Sequence, residues 1–310
     1  MKFDLLISAD WHLSTKVPEC RKESKEEWLG VLRDKISFIL SQQKKHHCPL
    51  LIAGDLFDRW KVDHRLESQF MEWMDEVGDP DLPIITIAGQ HDTPYHDPGR
   101  LSESAYNVIA TAGYIQTIPT PDKPRIEQFG AFWGVNYGME IPSTPPKGKK
   151  TWNIIMLHQF VWKGKAYPGA PKGGSLDSFR KKHKAWDLIV TGDNHQTIIA
   201  PETYSYPALI NPGSLFRTRS DQDQHAPCIV GWSREEGADI IEIPVSKDVF
   251  ITTSHQEAVQ KDERLTTFVE RLDGRSEVSL SFDDNLEAFI KANTISRELR
   301  TVIEEARDYE

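Results

Sequence analysis

Five short islands of side chains able to bind metal ions punctuate this chain before residue 196. They are Asp10-Trp11-His12, Gly54-Asp55-Leu56-Phe57-Asp58, Gly89-Gln90-His91-Asp92, His158 and Gly192-Asp193-Asn194-His195. Asp-x-His sets a carboxylate and an imidazole two residues apart, within reach of one cation. Gly-Asp after a strand puts a carboxylate on a tight turn, where glycine lets the backbone bend close to a metal; with two oxygens, Asp55 can bridge two cations. Gly-Gln-His-Asp offers an amide oxygen, an imidazole and a carboxylate, Asp92, to orient that imidazole. A lone Asp-x-His is more often incidental and a lone histidine such as His158 more often structural, so no single island carries much. Their order carries more. Two cations ~3.5–4 Å apart clamp a phosphoryl oxygen, deliver a hydroxide and stabilise in-line displacement, so the pattern points to phosphoester hydrolysis.

Each island follows an apolar run that must position it. Phe3–Ala9, Leu50–Ala53, Ile84–Ala88, Asn153–Leu157 and Leu188–Thr191 are short and apolar on consecutive positions, as strands covered on both faces are. Between the first two, Ser24–His46 opens on a Ser24/Glu27 capping box and carries Trp28, Val31, Leu32, Ile36, Ile39 and Leu40 at helical spacing. Between the second and third, Asp63 caps a helix with Leu66, Phe70, Trp73, Met74 and Val77, closed by Gly78 and Pro80. This β-α-β-α-β opening predicts a largely parallel sheet with right-handed crossovers, its ligands gathered at the carboxyl ends of the strands. From about Gln116, short strands with Pro and Gly punctuation (Phe129–Val135, Ala208–Ile210, Cys228–Trp232, Ile240–Ile243) predict a second sheet packed on the first. Residues 161–175 read as a long mobile loop. After about Ser246 the chain turns charged, with helices expected over Ser254–Leu272 and Asn285–Asp308. The expected fold is α/β, a two-sheet β-sandwich flanked by helices over 1–245, with a small, mostly helical appendage over 246–310.

Composition narrows the class. The 310 residues with 38% hydrophobic content support one sizeable core or one large domain plus an appendage. Three cysteines at unrelated spacings form no disulfide framework and fit a reducing compartment. No apolar stretch approaches the ~20 residues of a membrane span, and the opening Met1–Ile7 runs straight into Asp10 as a first strand instead of a signal peptide. A soluble cytoplasmic protein is expected. The net charge of −10 opposes general nucleic-acid affinity, yet residues 147–184 hold ten Lys and Arg against one acid, Asp177.

The island order resembles the calcineurin-like metallophosphoesterase superfamily, whose pattern is D-x-H, G-D-x-x-D, G-N-H-D/E, H and G-H-x-H, over roughly residues 4–233. The resemblance implies the metallophosphoesterase fold. It implies that Asp10, His12 and His195 bind one metal, that Asp55 bridges, and that Gln90, His158 and Asp193 bind the second. It makes His91 the catalytic imidazole, oriented by Asp92, with Asp58 and Asn211 supporting the ligands from behind; Asn211 belongs to an Asn-Pro-Gly-Ser loop followed by Arg217, also similar to the family's. Gln90 stands where the family has Asn and Asp193 where it has His. The longer amide and the added carboxylate favour hard cations, two Mn²⁺ or Mg²⁺, over Zn²⁺; the competing reading is a weakened second site. The Asp-Trp-His opening, Gly-Asp-Leu-Phe-Asp and the helical tail look most like SbcD-type DNA repair nucleases, including phage-encoded relatives. This implies DNA as substrate, an SbcC-type ATPase partner, a homodimer through helices near residues 60–80, and Arg217, Lys163, Lys165 and Trp162 as substrate contacts, with Tyr167 also able to stack on a base. The alternatives are a phosphodiesterase or phosphatase of small nucleotides, and a metal-binding scaffold with little turnover.

Overall fold

The computed structural model describes residues 2–118, 123–127, 130–145, 152–164, 173–246 and 249–251. These belong to one compact unit, Met1–Ile251; the unit Thr252–Glu310 lies outside the described residues, and with it both expected C-terminal helices.

The apolar runs become buried strands: β1 (Leu5–Ser8), β2 (Leu50–Ala53) and β3 (Ile84–Ile87). They lie parallel, with Leu6 beside Leu50 and Leu50 beside Ile84. Between them, α1 (Lys25–His46) starts on the expected capping box, in which Ser24 Oγ accepts from the Glu27 N–H and Glu27 Oε2 accepts from the Ser24 N–H at 2.8 Å. In α2 (His64–Val77) the Asp63 carboxylate accepts from the Arg65 N–H at 2.9 Å, and Gly78 follows the last turn. Next come α3 (Ala105–Thr111), β4 (Gln116–Thr117), β5 (Arg125–Glu127), β6 (Gly130–Val135) and β7 (Asn153–His158). The chain continues through α4 (Leu176–Lys182), β8 (Leu188–Gly192), β9 (Ile198–Ala200), β10 (Ala208–Asn211), β11 (Cys228–Ser233) and β12 (Gly237–Glu242).

Among the described residues these strands form two six-stranded sheets, ordered β12-β11-β1-β2-β3-β4 and β5-β6-β7-β8-β10-β9. The α/β sandwich is therefore as expected, but the allotment of strands differs. β11 and β12, expected in the second sheet, return to the first, where β11 runs antiparallel to β1 with Leu5 opposite Trp232. The opening β-α-β-α-β unit leaves one edge of β1 without a partner, and a returning strand covers it. β7 and β8, whose apolar runs match those of β1–β3, belong to the second sheet.

Three apolar clusters explain why nearly every position of β1–β3, β6–β8, β10 and β11 is buried. Leu5, Ile7, Leu51 and Ile85 meet Phe132, Ile154, Met156 and Val190 between the sheets. Leu6, Leu50 and Ile52 pack outward on Trp28, Leu32 and Phe70 of the helices. Trp133, Ile155 and Ile189 pack on Phe179 and Trp186 beyond the second sheet. Trp11 joins the core, fully buried, with its indole N–H donating to Ser8 Oγ at 2.7 Å. No described helix is long and apolar enough to cross a membrane. Of the expected 161–175 loop, residues 165–172 lie outside the described residues, while its flanks are tied together by a bridge between Trp162 and Ser175.

Candidate metal centre

All five islands sit at carboxyl ends of parallel strands: Asp10 and His12 after β1, Asp55 after β2, Gln90–Asp92 after β3, His158 at the end of β7, and Asp193–His195 after β8. Backbone hydrogen bonds lock the turns to one another. The Asp10 N–H donates to the Gly54 carbonyl (3.2 Å), the His12 N–H to that of Asp55 (2.9 Å) and the Leu215 N–H to that of Asp10 (3.1 Å). The turns are sharp. Asp10, His12, Asp55 and Asp193 have φ of 50°, 43°, 51° and 78°, the left-handed region that costs a non-glycine residue roughly 1–3 kcal/mol. Strain of that kind persists only where the surroundings over-determine it, and here it falls on four expected ligands.

Two glycines make the close approach feasible. Gly54, at φ 87°, lies against the His158 ring, and a Cβ on Gly89 would strike the Asp55 carboxylate. The Gly-Asp and Gly-Gln-His-Asp signatures thus reflect space as well as backbone freedom.

The donor atoms converge. His12 Nε2 lies 3.2 Å from His195 Nε2, 4.0 Å from Asp10 Oδ1 and 3.5 Å from Asp55 Oδ2. His158 Nε2 lies 3.1 Å from the same Asp55 oxygen. Among the described residues, Asp10/His12/His195, Asp10/Asp55/His158 and His12/Asp58/His91 each bring ligand atoms within 4.8 Å of one another. The His158 Nδ1–H donates to the Ala53 carbonyl at 2.9 Å, which fixes the tautomer and aims Nε2 at Asp55.

The electrostatics fit divalent cations. Burial, only partly offset by His158, pushes the Asp10 carboxyl up to about 7, as expected for a carboxylate short of counter-charge. Burial likewise opposes charge on Asp55, but His158 and His12 hold its carboxyl below the usual range. Against burial, Asp55 in turn lifts His158 to about 10. Burial pushes His12 down to about 3 and lowers His195, leaving both imidazoles neutral and ready to ligate. The charge partners of these carboxylates are imidazoles, and the buried His158 Nε2 faces the Asp55 carboxylate. A bound cation would supply the missing charge and take up that nitrogen.

The other expected residues divide. The exposed His91 has its Nδ1–H donating to the Asp58 backbone carbonyl at 2.7 Å, which places its free nitrogen at Nε2. The His91 backbone N–H donates to Asp55 Oδ1 at 2.7 Å. Asp92 does not hold the imidazole as expected. Its fully buried carboxylate accepts from the backbone N–H groups of Leu56 (3.1 Å), Phe57 (3.0 Å) and Gly89 (2.9 Å), fastening the second and third islands together. Orphan amides of two crossing turns outcompete a side chain for it. The Asp193 N–H donates to both Asp10 oxygens at 3.0 and 3.2 Å, while its carboxylate accepts from the Phe160 amide. Gln90 and Asp193 line a cleft of about 860 Å³ together with His91 and His195. Asn211 braces the last island from behind: its Nδ2 donates to the Asn194 carbonyl at 2.7 Å and its Oδ1 accepts from the Gly213 N–H at 3.1 Å.

Arg217, expected to contact substrate, is buried elsewhere. Its guanidinium donates to the Asp223 and Ser246 carbonyls at 3.2 and 2.7 Å and packs over Phe250. Arg219, two residues on, lines the cleft instead. Lys163 is exposed, Trp162 is partly buried, and Lys165 and Tyr167 lie outside the described residues. Sequence reasoning missed Asn136, whose Oδ1 accepts from the Ala88 N–H at 2.9 Å and steadies the third island, because an asparagine far from any motif gives no local signal.

Residues 3–197 match the sequence profile of the calcineurin-like phosphoesterases, and the chain belongs to that family. It is a metallophosphoesterase, of a family that binds divalent metal ions. No curated protein matches it in sequence. Among solved structures it is similar to an archaeal phosphodiesterase (13% identity, 77% of this chain and 99% of that one, TM-score 0.39). It is also similar to a hypothetical protein from Pyrococcus horikoshii OT3 (11% identity, 84% and 94%, TM-score 0.39). A third is the Thermus thermophilus sulfate thiohydrolase SoxB in complex with glycerol (11% identity, 78% and 57%, TM-score 0.42).

Proposed function

We propose that this metallophosphoesterase is a cytoplasmic phosphodiesterase that cleaves DNA, in the manner of the SbcD-type nucleases, with two Mn²⁺ ions as its working metals. One observation carries the two-cation reading. A single oxygen of Asp55 lies 3.5 Å from His12 Nε2 and 3.1 Å from His158 Nε2, so one carboxylate faces both donor groups. Asp10, His12 and His195 would hold one cation, His158, Gln90 and Asp193 the other, with Asp55 shared. When bound, the cations supply Lewis-acid and water-activating chemistry. The chain's own residues do the rest. The Asp58 backbone carbonyl keeps one proton of His91 on Nδ1, so Nε2 is the atom from which the doubly protonated ring would give a proton to the leaving oxygen. Asp92 and the crossed turns hold that imidazole's loop in place.

The choice of DNA rests on the SbcD-type resemblance and on the basic 147–184 stretch. There Lys163, Lys181, Lys182 and Lys184 are exposed, whereas Arg180 is buried against the Pro201 and Pro207 carbonyls. In the same reading Lys163, Lys165 and Trp162 contact the strand, residues 246–310 dock an SbcC-type ATPase, and helices near residues 60–80 form a homodimer. The volume of the cleft, about 860 Å³, is that of a small-ligand site and favours a rival, a phosphodiesterase of small nucleotides. One assay separates them: Mn²⁺-dependent digestion of linear DNA beside hydrolysis of bis(p-nitrophenyl) phosphate and cyclic nucleotides. The proposal expects DNA to be degraded in a His91-dependent way. Turnover of the small diesters with DNA intact would establish the rival. Absence of His91-dependent hydrolysis with Mn²⁺, Mg²⁺, Zn²⁺ or Co²⁺ would leave a metal-binding scaffold.

A further inference from the structure

The cleft extends well past the metal ligands. From His91 and His195 it continues beside Gln196 to Arg219, Gln224 and Glu242, enclosing about 860 Å³. A single diester group fills only part of a space of that size. Arg219 is the one Lys or Arg among its lining residues. Glu242 also lines it, so beyond the proposed cation ligands an anion in the cleft meets a positively charged side chain at Arg219.

The backbone under Arg219 is fixed to the metal centre. Gln222 Oε1 accepts from the Thr218 and Arg219 N–H groups at 2.8 and 3.0 Å. Gln222 Nε2 donates to Ser214 Oγ at 3.2 Å, and His225 Nε2 donates to the Ser214 carbonyl at 2.7 Å. Ser214 in turn bridges to Ala9, and its N–H donates to the His195 carbonyl at 3.1 Å. The turn that carries Arg219 is thereby braced on the residues flanking Asp10 and His195. A guanidinium presented from a pre-set turn loses less entropy when it engages a ligand, and its planar fork suits a phosphate.

We propose that Arg219 is a specificity-determining residue that binds a second phosphate, next along the strand from the scissile one. The site then selects substrates with at least two phosphates over single diesters. This rests on the phosphodiesterase reading. The test compares kcat and KM for thymidylyl-thymidine, which has one phosphate, with those for the trinucleotide TpTpT and for the dinucleotide phosphorylated at either end. The enzymes are the wild-type protein, Arg219→Ala and Arg219→Lys, with Mn²⁺.

In the wild-type protein the second phosphate lowers KM by about tenfold or more, as for one charge-assisted contact. Arg219→Ala erases most of that difference with little change in kcat, and Arg219→Lys keeps part of it. Whichever singly phosphorylated dinucleotide shows the effect gives the side on which the strand lies. Wild-type turnover without a second-phosphate preference overturns the role of Arg219 alone. So does an Arg219→Ala loss that is equal for one- and two-phosphate substrates. Failure of the wild-type protein to hydrolyse any of these diesters removes the phosphodiesterase reading beneath it. Unchanged metal content and melting temperature in both variants exclude misfolding as the cause.

Discussion

The two sides of the centre are built differently. Asp10, His12, Asp55 and His158 are almost wholly buried, and hydrogen bonds between their turns hold them rigidly. Gln90, His91, Asp193 and His195 line the open cleft, and the Asp193 carboxylate is engaged by the Phe160 amide. The buried side holds three of the four left-handed ligand residues and a carboxyl, Asp10, short of the counter-charge that a cation would supply. The cleft side leaves room for substrate and departs from its family at two positions. In the proposed reading each cation takes ligands from both sides, with the buried side offering the preset donors and the cleft side the departures from the family pattern.

The most damaging change expected is Asp55→Asn, which removes the carboxylate shared by His12 and His158. It should take activity to background and lower metal content by atomic absorption; retention of both metals would break the comparison at its centre. Next is His91→Asn, which should cost about 10²–10⁴-fold in kcat, as for a lost general acid, with metal content unchanged. A loss of metal equal to the loss of rate would move His91 to the ligands.

The third prediction concerns pH. Ligation needs Asp10 ionised and the His158 Nε2 bare. Both hold their protons above ordinary values, Asp10 up to about 7 and His158 up to about 10, whereas His12 sits at about 3 and has already lost its proton. Raising pH removes the competing protons, so affinity must rise. Isothermal titration should show Mn²⁺ binding strengthening by about tenfold per pH unit above neutrality and more steeply below it, where two protons are displaced. A flat profile would mean that neither group is a ligand. The smallest effect should follow Asp193→His, which restores the family's residue on the cleft side. It should shift metal preference from Mn²⁺ toward Zn²⁺ on the order of a few-fold in competition binding.

The strand-end residues were the most legible in sequence. Apolar runs, glycine turns and the residues after them are local signals, and Asp10, His12, Asp55, His91, His158 and His195 all come together where strand ends converge. Sheet membership is less local. The runs of β7 and β8 look like those of β1–β3 because burial on both faces gives the same pattern in either sheet, and only the bare edge of β1 explains the return of β11. The partner of Asp92 depends on how two turns cross, which spacing along the chain does not encode. The burial of Arg217 has the same origin: the motif marks the loop, and tertiary packing decides that Arg217 is buried while Arg219 lines the cleft.

Counting bound Mn²⁺ per chain while following turnover of linear DNA tests the central claim most directly. A shared Asp55 predicts two ions per chain, the second weaker and restrained by Gln90 and Asp193, with His91-dependent turnover rising as it binds. One ion per chain, with His91-dependent activity indifferent to added Mn²⁺, would contradict it.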